Sequence, residues 1–183
     1  LSHEGNVLTR PDTTWEKDNE DLFVPDFVHA FKYSPVLFAR INKPGRSIGE
    51  KFAIRYYDAI GYGIFLYPED LLSKGNQGWA CASCLDHTSF LPHPLFSPLT
   101  LGQDTNYFEL FKNGKPIYKT VSMSKKLIEN AICEASQVCY LRCGDYVAVE
   151  LAEIKNLCEC SEKKSRITAS YCDNPTIDFQ IIF

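Results

Sequence analysis

No uninterrupted apolar run approaches the roughly 18 residues that a membrane-crossing helix needs, and no basic amphipathic stretch suits a lipid surface. A basic excess is missing too. Against 19 Lys and Arg stand 23 Asp and Glu, a formal charge of -4, so neither DNA nor RNA is an expected partner. There is no nucleophile elbow and no phosphate-cradling glycine loop, which leaves serine hydrolases and nucleotide-dependent enzymes without support. Internal repeats and low-complexity tracts are likewise missing. What remains is the expectation of one soluble, cytoplasmic domain over residues 1–183. Because the chain opens on Leu1 rather than Met, its start says little about targeting.

With 45% hydrophobic and 23% charged residues in 183, the chain is long enough for a sizeable core. The eight cysteines, at 81, 84, 133, 139, 143, 158, 160 and 172, are even in number but spread through a chain that needs no staples, and are read as buried free thiols. Cys81 and Cys84, with Cys158 and Cys160, make a thin case for structural zinc, because zinc knuckles stand closer in sequence than these pairs do. A thioredoxin-like role for Cys81 and Cys84 has equally little support, since the pair does not lie between a strand and a helix start. Adjacent buried thiols are the preferred reading.

Up to about Glu20 the chain is polar and turn-rich, suited to short strands and loops. Residues 33–41 are rich in β-formers and end at Asn42-Lys43-Pro44-Gly45, a strand followed by a turn. Ser47 and Glu50 have capping-box spacing, and Phe52, Tyr56 and Ala59 would share one helical face, so a short helix is predicted over 51–60. Extended structure resumes at 61–67. Residues 79–98 show no clean period and suggest an ordered loop at a cleft or interface. Alternation around Asn113-Gly114 predicts a hairpin whose two turn residues have positive φ. A helix follows over 124–137, then a turn at Arg142-Cys143-Gly144-Asp145, a strand over 146–151, and two strand-like runs at 166–171 and 177–183 separated by Asp173-Asn174-Pro175.

In order and spacing, Val24-Pro25-Asp26-Phe27, the run 33–41, Phe52-Ala53-Ile54-Arg55-Tyr56-Tyr57-Asp58-Ala59 and Asp70-Leu71 resemble the fumarylacetoacetate hydrolase family. Arg55-Tyr56-Tyr57-Asp58 looks like a bacterial branch of it. Trp79, the Asn113-Gly114 hairpin and Leu141-Arg142-Cys143-Gly144-Asp145 continue the match, which covers roughly residues 7 to 150. The resemblance implies a mixed α/β, β-rich fold: a twisted, rolled sheet around a cleft, here with two short helices, usually assembled as a homodimer. It also implies a Mg or Mn ion held by a Glu-any-Glu pair and an Asp.

At those ligand positions the sequence departs from the family. The two glutamates align with Ser34 and Val36, the aspartate with Phe65, and an expected lysine with Ser83. The glycine-threonine-proline loop reads Glu150-Leu151-Ala152. The family histidine that assists water attack belongs to an N-terminal segment that this sequence is expected to lack, and His3-Glu4 is a poor substitute. The expectation is therefore no metal cofactor and a catalytically inactive protein, its cleft filled or remodelled for a small organic acid or a partner. An alternative is a hydrolase or lyase acting on the C–C bond of a diketo or keto acid through relocated groups such as Asp86, His87 and Asp70. Asp86-His87 with His93 could supply a base and its orienter or one edge of a new metal site, but the preferred reading is that they hydrogen-bond loop backbone. A third possibility is a hetero-oligomer in which an active relative carries the chemistry.

Overall fold

The computed structural model describes residues 7–183, apart from the Asn76 side chain; His3 and Glu4 lie outside the described residues. Two-residue strands β1 (Trp15–Glu16) and β2 (Leu22–Phe23) precede the long strand β3 (Ala30–Ile41). After the one-turn helix α1 (Glu50–Ala53) comes the equally long β4 (Tyr57–Pro68), then α2 (Glu69–Leu72), α3 (Gly78–Ala82) and β5 (Ser89–Phe90). The hairpin β6 (Tyr107–Lys112) and β7 (Lys115–Val121) leads to α4 (Lys125–Val138). Strands β8 (Tyr146–Glu150), β9 (Lys155–Glu159), β10 (Lys164–Tyr171) and β11 (Asn174–Ile182) complete the chain.

The strands form two sheets. One has the order β1-β5-β4-β3-β8, with β9 also on β3, and the other β2-β11-β10-β6-β7. Between them lies the main core, to which Leu37, Ile60, Tyr62 and Ile64 contribute from the first sheet and Phe108, Ile167, Tyr171 and Phe179 from the second. Aromatic contacts tie the sheets together: Phe90 stacks on Phe179 with centroids 3.5 Å apart, and Tyr62 meets Tyr171 at 4.5 Å. From α4, Ile128, Ala131, Ile132 and Ala135 are buried, the i, i+3, i+4, i+7 stripe that the sequence shows.

Strand β3 changes partner along its length. Val36 to Arg40 pair with β8, whereas Ala30 to Tyr33 pair with β9. Pro35, which has no N–H to give to a ladder, falls between the two partners, and its carbonyl accepts from Leu151 N–H at 2.8 Å. A proline inside a long buried strand is thus placed where its missing donor costs least.

Both hairpins use two-residue turns at positive φ, Asn113-Gly114 (49° and 76°) and Cys172-Asp173 (51° and 60°), the twist that suits tightly joined strands. The second turn lies earlier than expected, since β11 already begins at Asn174. Three other expectations are corrected. The helix predicted over 51–60 is only α1: Ser47 does not cap it, because its φ is 52° and its N–H bonds Ser136 O, and Gly49 stands at the cap. Pairing of Ile41 with Tyr57 and Arg40 with Ala59 draws the rest into β4, so tertiary pairing overrides the apparent helical face and Phe52 is exposed. Among the described residues four α-helical segments replace the two expected, with α3 and β5 falling largely inside the supposed loop of 79–98. The cysteines are free, but Cys81, Cys84, Cys143 and Cys160 are exposed and Cys158 alone is fully buried. Among the described residues no helix is long and apolar enough to cross a membrane.

Candidate functional site

The pleat decides which side chains meet. Ser34 is the cross-strand partner of Phe65, and Val36 that of both Gly63 and Glu150, so their side chains share the face of the first sheet that points away from the main core. A second apolar cluster forms there, containing Val36, Phe38, Phe65, Tyr67, Ala82 and Leu91. Ser83 ends α3 beside it. The positions singled out from sequence, Ser34, Val36, Phe65, Ser83 and Glu150, therefore come together from β3, β4, α3 and β8. A cavity of about 540 Å³ opens on this face, lined among others by Arg10, Trp15, Phe65, Tyr67, Ser83 and Glu150. Ser34 and Val36 are fully buried and do not line it.

Two residues that the sequence reading passed over occupy the centre. The Arg10 guanidinium carbon lies 4.2 Å above the Phe65 ring and 4.5 Å above that of Tyr67, a cation on two aromatic faces. Its Nη1 donates to Thr88 O, Thr88 Oγ1 and Ser89 Oγ at 3.4, 3.2 and 3.1 Å, and its Nη2 to Leu66 O at 3.3 Å. Among the described residues no carboxylate oxygen stands within 4.0 Å of it. Tyr67 donates its hydroxyl in a short hydrogen bond to Glu150 Oε1, and Glu150 is itself buried. Burial pushes the Tyr67 phenol well above its ordinary value; the Arg10 charge opposes this and Glu150 adds to it, so the phenol stays a neutral donor. Tyr67 had a sequence signal, its two-residue spacing from Phe65. Arg10 had none, because its partners lie 56 to 79 positions away.

A hard divalent ion needs about six oxygen ligands at about 2.0–2.6 Å, and the positions that the resemblance aligns with the family's ligands do not fit one. Val36 and Phe65 have no lone pair to offer, and Ser34 Oγ donates to Ala152 O at 3.0 Å. Ser83 Oγ is buried and has no hydrogen-bond partner among the described residues.

The remaining candidates separate. His87, at φ 55°, turns its Nδ1 to Glu16 Oε2 at 3.2 Å, not to loop backbone, while Glu16 Oε1 accepts from Asp18 N–H at 2.7 Å. Glu20 completes a group whose ligand atoms lie within 4.8 Å of one another. Asp86 is exposed and does not join it. His93 Nε2 is 3.1 Å from the Tyr146 hydroxyl; burial holds its imidazole below the ordinary value, with Lys17 and Arg40 acting in the same direction. Asp70 accepts from the His29 N–H and imidazole at 2.8 and 2.9 Å and does not line the cavity. The four cysteines considered for zinc form no metal-ligand group among the described residues.

Fold and cleft together define a class, the fold seen in fumarylacetoacetate hydrolase family proteins. A structure described as such a protein, from Yersinia pestis, superposes with a TM-score of 0.76 over 94% of this chain and 80% of its own, at 17% identity. More particularly, fumarylpyruvate hydrolase from Pseudomonas aeruginosa, solved with Mn2+ and pyruvate, gives 0.76 over 95% and 77% at 16% identity. The 5-carboxymethyl-2-hydroxymuconate delta-isomerase from Mycobacterium smegmatis gives 0.75 over 94% and 67% at 14%. No protein-family model matches the sequence, and no curated protein matches it significantly. At such identities the likeness establishes the fold, and the chemistry has to be read from this chain's own residues.

Proposed function

We propose that this chain is a catalytically inactive, homodimeric, cytoplasmic protein of the fumarylacetoacetate hydrolase fold that binds a small organic acid without a metal at the inherited positions. The observation that carries the reading is Arg10: a part-buried cation at the cavity, without a carboxylate within 4.0 Å among the described residues. A carboxylate ligand would meet that charge. The inactive reading rests on Val36 and Phe65, which offer no oxygen to a Lewis acid at the positions where the family resemblance places its ligands. Calorimetric titration with a panel of keto and dicarboxylic acids is expected to find at least one saturable ligand whose binding is lost in Arg10→Met. Cleavage of acylpyruvates by the unmodified protein would overturn the inactive reading.

A second reading rests on Glu16, Glu20 and His87. Two carboxylates and an imidazole within 4.8 Å suit a divalent transition ion, and the fold accommodates Mn2+ in the Pseudomonas enzyme. It makes the chain a metal-assisted hydrolase or lyase with a relocated ion. Tight Mn2+ or Zn2+ binding that disappears in Glu16→Gln, accompanied by turnover of a keto acid, would favour it over the first.

A further inference from the structure

The misfit between the cleft and a divalent ion has a positive side: the cleft is shaped for a different cation. Two aromatic faces, Phe65 and Tyr67, lie at stacking distance from a planar charge, and the oxygens of Leu66, Thr88 and Ser89 stand at 3.1 to 3.4 Å from its nitrogens. That is a cradle for a flat fork of N–H donors rather than for a spherical ion. Its oxygens are held by bonds of their own. Leu66 N–H donates to Thr88 O at 2.8 Å, Thr88 Oγ1 donates to Leu85 O, and Ser89 Oγ is 2.9 Å from Thr14 Oγ1. The pairing of Phe65 with Ser89 fixes the two walls relative to each other. The Tyr67 hydroxyl is held in turn by Oε1 of the buried Glu150.

We propose that this cradle is a guanidinium-binding site in its own right, occupied in the native protein by Arg10, and that it takes a free guanidinium-type cation once that side chain is removed. The inference goes beyond the organic-acid reading and stands whether or not an acid binds. Because the oxygens are pre-organised by contacts that do not involve Arg10, truncating the arginine leaves the walls in place and a vacant slot of the right shape. Arg10 is then a tethered cation filling the neighbourhood in which the family resemblance places a metal ion.

The test is chemical rescue followed by thermal unfolding. Arg10→Ala is expected to lower Tm, and millimolar methylguanidinium should restore about half or more of the loss along a saturable curve, as ligand linkage requires. Wild type, whose slot is filled, should show only the weak linear decrease that a denaturing ion causes. Methylammonium, which carries the charge without the planar fork, should rescue poorly, and Arg10→Lys should recover less than the rescued Ala variant. If Arg10→Ala folds too poorly to measure, Arg10→Gln, which keeps length and polarity, takes its place in the same titration. The proposal is overturned if neither variant gains Tm saturably from methylguanidinium, or if Mn2+ rescues them as well as it does. An acid that binds wild type unchanged while rescue fails would sink this inference and leave the organic-acid reading standing.

Discussion

The two faces of the β3–β4 pair belong to the same strands and differ in almost everything else. Toward the second sheet, Leu37, Ile60, Tyr62 and Ile64 enter a large core built almost wholly from apolar side chains. One residue along, on the opposite face, Ser34 and Val36 are buried while Phe65 and Tyr67 meet Arg10, Ser83 and Glu150 around a cavity. A two-residue period thus divides a strand pair into a side that holds the fold and a side that can change its chemistry. Side chains on the second side can therefore differ while the first side's packing stays intact.

The contrast is broken most sharply from the inner face. Leu37→Ala, at a site with 0% exposure, should cost about 2–5 kcal/mol in denaturant unfolding while leaving the ligand affinity of folded protein near wild type; a cost well below that range would mean that the core is looser than its contacts suggest. On the cleft face, Tyr67→Phe removes the hydroxyl donated to buried Glu150. A loss of about 1 kcal/mol is expected, smaller than for Leu37→Ala, and the reverse order would contradict the division of labour.

A finer probe is pH. The folded-state pKa of His93 lies below its ordinary 6.5, so between the two values the unfolded chain binds more protons. Its contribution to stability is therefore complete above pH 6.5 and is lost as pH falls through the folded pKa. His93→Gln should flatten the stability curve on the acid side of 6.5, as read by denaturation midpoints at successive pH values; an unchanged slope would remove His93 as the cause. The smallest effect is a rate difference among thiols. Burial pushes Cys158 up to about 12, whereas Cys81, Cys84, Cys143 and Cys160 are exposed. Brief alkylation of native protein followed by peptide mass mapping should label those four and spare Cys158.

Much of the architecture was legible because it rests on local signals. Asn113-Gly114 can hardly be anything but a tight hairpin, and the apolar stripe of α4 has the helical period. The segment around Tyr56 and Tyr57 misled because a helical face and a β-rich run coexist there, and the arbiter, pairing with Arg40 and Ile41, lies more than ten residues away. The site divides along the same line. The family resemblance points to Ser34, Val36, Phe65, Ser83 and Glu150; Phe65, Ser83 and Glu150 line the cavity, whereas Ser34 and Val36 are buried and do not. Arg10 was invisible, since nothing near it in sequence says that it will reach across to Leu66, Thr88 and Ser89. His87 is legible as one edge of a new metal site, but its companions Glu16 and Glu20 are not, because they come from a distant stretch of chain.

Pro35 has one more consequence. A sheet whose central strand could slide by a single residue would exchange its two faces wholesale, sending Leu37 into the cleft and Val36 into the core. With a proline tolerated only at the vacancy between β8 and β9, such a slip would carry the ring opposite a ladder position that demands an N–H. The residue that looks like an imperfection in the strand therefore works as a registration pin: it keeps the pairing of β3 from drifting, and with it the separation between the face that stabilises the molecule and the face that is free to evolve.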